Sequence, residues 1–270
     1  MPAIQPARLK LQVQEMSQLV DDPTAFLRAL HDLLDFYADR TRRFQRGDRA
    51  MSLIRNYRVP DQVLRQIEIG LIPVLSPHPD TAMALAEALW EDGWLETRLL
   101  AITIVGQIDP QPPARVSEKV RAWGLGCKDP MVTKALAFRG TERLRQEQRD
   151  HFLEVLENWF GSGELPLVRI GLHAVAKLLE DDERFENLPL VFRWLSPLTR
   201  QMDFKTKPAL IPVFRLMAQR SPQETAYFLR KILTSTENAH ISGLIRELLD
   251  RFPPHLQDSL RQQLREKRGL

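Results

Sequence analysis

The 270-residue chain contains one cysteine, so no internal disulfide framework and no multi-cysteine zinc pattern is available to it. Long apolar runs are missing too. The longest uncharged stretch, Ile69 to Pro79, holds three prolines and a histidine, well short of the roughly 20 apolar residues of a membrane span. The first residues, Met-Pro-Ala-Ile-Gln-Pro-Ala-Arg, have no apolar signal core, which makes the cytoplasm the expected compartment. Alternating strand patterns and Asn-Gly or Asp-Gly hairpins between apolar runs are absent. His31, His78, His151, His173, His240 and His255 are scattered singly, none at the spacing of a metal site; His173 reads as lying on the polar edge of a helix and the others as surface or cap residues. There is no Gly-x-Ser-x-Gly elbow, and no strand or Gly-Lys-Ser accompanies Gly124-Leu125-Gly126 or Gly161-Ser162-Gly163. Those glycines read as helix-ending turns, and the sequence implies no metal and no cofactor.

What is present is helical periodicity. Phe26, Leu27, Leu30, Leu33, Leu34 and Tyr37 recur at three- and four-residue steps, as do Val168, Leu172, Val175, Leu178 and Leu179. The fold class is all-α. Pro23, Pro60, Pro79, Pro113, Pro130, Pro166, Pro189, Pro208, Pro222 and Pro254 each stand where a helical pattern begins, because a first-turn proline loses no hydrogen bond. Asp22, Asp129 and Ser221 precede three of them as expected caps. Alternate starts lie one two-helix repeat apart, in the thirties and low forties. Without tetratricopeptide or ankyrin signatures, residues 1–270 read as one HEAT-like or armadillo-like α-solenoid domain, with a compact helical bundle as the competitor.

Charge is unevenly spread although the net charge is only +3. Arg40 to Arg58 carries seven arginines against one aspartate, Arg115 to Arg149 nine bases against four acids, and Arg193 to Lys231 eight against two. Asp80 to Glu96 holds five acids and no base. Segregation of this kind is the footprint of a basic face over an acidic back, suited to a polyanion; the bland alternative is solvated helix surface.

The most distinctive stretch is Ala88-Leu89-Trp90-Glu91-Asp92-Gly93-Trp94-Leu95-Glu96-Thr97-Arg98-Leu99-Leu100-Ala101. It follows Ile54-Arg55-Asn56-Tyr57-Arg58-Val59-Pro60 and precedes Trp159, Leu165-Pro166-Leu167-Val168-Arg169 and the Arg215 to Pro222 boundary. In that order these segments resemble the AlkD-like DNA alkylation repair family, HEAT-like repeat DNA glycosylases. The resemblance implies duplex DNA as partner, aromatic walls around an N3- or N7-alkylated purine, and a carboxylate four residues after a tryptophan. Here Trp123 has Cys127 in that place, with Asp129 two positions further, a shift that on a helix would turn it by about 200° to the other face. Asp129 is therefore the one candidate catalytic acid. The second wall falls near Pro212, with Phe214 the nearest ring. Trp90 and Trp94 read as core, and Glu96 and Arg98 as helix-dipole and surface-pair residues. Trp123, Arg169, Lys205, Lys207 and Arg215 are the expected DNA contacts, Arg169, Lys205 and Lys207 lying near helix N-termini. The resulting expectation is a family member that binds DNA phosphates in a basic concave groove without efficient base excision. The alternatives are a protein-interaction HEAT scaffold and an active glycosylase.

Overall fold

A computed structural model describes residues 4–38, 52 and 54–267; Arg40, Arg42, Arg43, Arg46 and Arg49 of the first basic stretch lie outside them. The contacts divide the chain into two compact units, Met1–Leu153 and Glu154–Leu270. Among the described residues every regular element is a helix.

The first unit contains α1 (Pro6–Ser17), α2 (Pro23–Tyr37), α3 (Asp61–Leu75), α4 (Pro79–Asp92), α5 (Leu95–Gln107), α6 (Pro113–Leu125), α7 (Pro130–Phe138) and α8 (Glu142–Glu147). The division falls within α9 (Arg149–Gly161). The second unit continues with α10 (Leu165–Asp181), α11 (Leu188–Arg200), α12 (Lys207–Arg220), α13 (Pro222–Ser235), α14 (His240–Leu248) and α15 (Pro254–Glu266). Nine of the ten punctuating prolines occupy the first two helical positions, and Pro60 is the N-cap of α3. Asp22 and Asp129 cap as expected, each carboxylate accepting from two backbone N–H groups. Ser221 does not: its hydroxyl donates to Glu224 instead of accepting from the helix. Pro73, Pro197 and Pro212 lie inside helices, each removing one intrahelical hydrogen bond.

Within each unit a helix packs on the second helix after it. α1, α3, α5 and α7 follow one another in this way, and α2 packs on α4. In the second unit α10, α12 and α14 form one series, α11, α13 and α15 the other. Polar links repeat the same spacing. Arg115 to Pro79, Arg143 to Gln107, Arg169 to Lys205 and Arg193 to Glu157 each span 36 residues.

Among the described residues α5 and α10 are the most enclosed helices, each with ten buried residues. α5 buries Leu95, Glu96, Thr97, Leu100, Ala101, Ile102, Thr103, Ile104, Val105 and Gly106, leaving it no polar face. A Cβ on Gly106 would lie 1.8 Å from the Arg139 carbonyl oxygen, so only glycine lets the end of α7 approach this closely.

Candidate nucleic-acid interface

α6 stops at Leu125 with Gly126 as its C-cap, and α7 starts at Pro130. Cys127 and Asp129 therefore lie in the connection, and the expected rotation about a helix axis does not describe them. Asp129 is 3% exposed. Its Oδ1 accepts from Met131 N–H at 2.9 Å and Val132 N–H at 3.1 Å, and its Oδ2 accepts from the Ser52 hydroxyl at 2.7 Å. Both carboxylate oxygens are thus committed to holding the start of α7 and residue 52. The Cys127 thiol is buried, 3.5 Å from the Asp129 carbonyl oxygen. Burial pushes its pKa up, so at neutral pH it is an uncharged thiol.

Trp123 is 7% exposed, and its ring stacks on Trp90 with centroids 4.4 Å apart and planes 5° from parallel. The Arg98 guanidinium stands over Trp90, 4.9 Å from its centroid, and its Nε donates to the Trp90 carbonyl. Phe214, the ring expected for a second wall, is fully buried and packs against Phe228. It is core in its own unit, because α12 turns residue 214 inward together with Leu210 and Met217.

A second aromatic group joins the two leading motifs. Tyr57 stacks on Trp94 at 4.3 Å and 18°. His31 lies against both rings, bonded through Nδ1 to the Tyr57 hydroxyl at 2.8 Å and through Nε2 to Asp92 at 2.9 Å. That placement corrects the surface role expected of His31. Trp90 and Trp94 are half-buried rather than core. Glu96 is also corrected: it is 3% exposed, and its Oε1 accepts from Tyr57 N–H and Arg58 N–H, both at 2.9 Å. Burial raises its pKa above the usual value, against the lowering effect of these bonds. The Leu95 N–H donates to the Arg55 carbonyl beside them. Arg58, at φ 57°, is held in the left-handed region by this clamp. Gly93, at φ 81°, ends α4 where a side chain would be strained, and so lets Trp94 turn back over Tyr57.

The basic stretches have different fates. In the first unit Arg115 pairs with Asp80 at 2.7 Å, Lys119 with Glu87, and Arg139 with Glu68 at 2.6 Å. Arg145 is buried on the Phe138 carbonyl and Thr141. Two acids of the Asp80 to Glu96 stretch thus neutralise two bases of the next stretch, Asp80 beside Arg115 and Glu87 beside Lys119, while Arg121, Lys128 and Lys134 are exposed. In the second unit Arg169 sits one turn into α10 and donates through Nε and Nη2 to the Lys205 carbonyl at 3.1 and 2.8 Å. Lys207 opens α12 and pairs with Glu247, while Lys205 is exposed just before it. Arg215, exposed two turns along α12, has no hydrogen-bond or ion-pair partner among the described residues. Arg169, Lys205 and Lys207 are therefore brought together at one end of α12, with Arg215 further along the same helix. Trp123 and Asp129 belong to the other unit.

Among the described residues no group of three or more His, Cys, Asp or Glu side chains could hold a metal ion. No helix among them is long and apolar enough to cross a membrane. No curated protein and no solved structure matches the chain. One family model does, described as DNA alkylation repair enzyme, and it matches residues 54–247, from the Tyr57 segment through α14. The chain belongs to that DNA alkylation repair family.

Proposed function

We propose that the chain is a HEAT-like repeat member of the family that binds duplex DNA through its phosphates and does not excise alkylated bases efficiently. The observation that carries this reading is the neutral, buried Cys127 thiol standing four residues after Trp123. Loss of a cationic alkylpurine leaves an oxocarbenium-like sugar, which a carboxylate stabilises and an uncharged thiol does not. Asp129 offers no substitute while both its oxygens serve α7 and Ser52. Trp123 lies under Trp90 and supplies a platform without charge.

The DNA reading is supported by four cations, Arg169 on α10, Lys207 and Arg215 on the neighbouring α12, and Lys205 in the loop just before it. The HEAT-like reading is supported by the helix-on-second-helix packing and the 36-residue polar links. Fluorescence anisotropy of a labelled duplex at several salt concentrations tests binding. Neutralising about five phosphates gives a slope of log affinity against log salt near −4 to −5. No binding at low salt would overturn the DNA reading and favour a protein-interaction scaffold. Release of 7-methylguanine from alkylated duplex tests the chemistry. Rapid release abolished by Asp129→Asn would make the protein a working glycosylase.

A further inference from the structure

Phe204 is 69% exposed, the most exposed large apolar side chain among the described residues. A phenylalanine held in water forgoes the gain of burying one of the larger apolar surfaces a chain possesses. Its loop is not slack. Asp203 Oδ1 accepts from Lys205 N–H at 3.0 Å, Thr206 N–H at 2.8 Å and the Thr206 hydroxyl at 2.7 Å. The Arg169 guanidinium grips the Lys205 carbonyl, and the Asn238 amide donates to the carbonyls of Met202 at 2.7 Å and Arg200 at 3.1 Å. Three separate elements thus fix both ends of the short segment that holds the ring out.

The surroundings of the ring are cationic. The Lys205 ammonium lies 5.6 Å from its centroid, with Arg169 on the same peptide; Lys207, two residues on, is partly offset by its pair with Glu247. The one acid of the loop, Asp203, is turned onto backbone and hydroxyl donors, and Thr206 keeps its pKa below the usual carboxylate value. A flat apolar ring among cations complements a base flanked by phosphates. In intact duplex the base faces are occupied by their neighbours, so a ring gains access only where a step is weak or a base unpaired.

On the DNA reading above, we infer that Phe204 is a wedge that stacks on an unpaired or weakly stacked base, giving the protein a preference for distorted duplex over fully paired duplex. Anisotropy titrations compare a paired duplex with the same duplex carrying a single unpaired base, and 2-aminopurine beside that base reports unstacking. Wild type binds the bulged duplex about ten-fold more tightly. Phe204→Ala removes the preference and the 2-aminopurine response, with unchanged affinity for paired duplex, salt slope and melting temperature; Phe204→Trp keeps the preference. Lys205→Ala weakens both duplexes alike. A wild type without preference, or a preference that survives Phe204→Ala, overturns the wedge while leaving DNA binding intact. Failure to bind either duplex at low salt overturns both readings and leaves the ring to a protein partner.

Discussion

The rings of Trp90 and Trp123 lie face to face, 4.4 Å apart and within 5° of parallel. The residue that resembles the family's catalytic-site tryptophan therefore has one face closed by its own chain. Trp123→Ala is expected to cost about 3–5 kcal/mol, as for other buried tryptophans, and Trp90→Ala less because it is half-buried. The two losses should fall short of additive by about 0.5–1.5 kcal/mol in a double-mutant cycle read by urea unfolding. Strict additivity would mean the stack contributes nothing beyond burial.

Glu96 should be replaceable by Gln but not by Ala. Gln keeps an acceptor for the Tyr57 and Arg58 N–H groups, whereas Ala leaves two donors unpaired at about 1–3 kcal/mol each. The raised pKa sets the sign of the pH effect. The folded state holds the proton more tightly than the unfolded one, so this residue's contribution to stability is greatest below the ordinary glutamate value. It declines as pH rises from there through the folded value. Glu96→Gln should flatten that part of the curve of melting temperature against pH.

At the start of α7, Asp129→Ala should lower stability by about 1–2 kcal/mol through loss of the cap, and Asp129→Asn by less, since an amide oxygen still accepts. Neither change should alter the amount of base released from alkylated DNA. Thermal melts and base-release assays on the same preparations check both halves.

Lys207 is partly neutralised by Glu247, and Arg215 has no ion-pair partner among the described residues. Glu247→Gln should therefore tighten DNA binding several-fold at low salt while shifting stability by no more than about 1 kcal/mol. Arg215→Ala should reduce the magnitude of the salt slope by about one without changing the melting temperature. Arg169→Glu should weaken binding as well; if it unfolds the protein, its bond to the Lys205 carbonyl is structural.

The positions of the helices could be read from ten prolines because a proline's effect is confined to its own turn. The same logic missed Pro73, Pro197 and Pro212, which α3, α11 and α12 tolerate internally. Glu96 and His31 were misread for a different reason. What each touches is supplied from far along the chain, 38 residues away for Arg58 on Glu96 and 61 for Asp92 on His31. No local pattern reports that an acid at a helix start will be roofed by another segment. The fate of the basic stretches was equally hidden, since Asp80 reaches Arg115 only once α4 and α6 lie side by side.

The polar links that return after 36 residues mean that each segment depends chiefly on the segment one repeat before and after it. A chain wired chiefly this way has low contact order for its length, its longer links, such as Glu68 to Arg139 and Ser52 to Asp129, spanning about two repeats. Folding within each unit can start on any adjacent pair and spread outward. Damage stays local by the same logic: hydrogen exchange should grade from the enclosed α5 and α10 towards the outermost helices, which open first and alone.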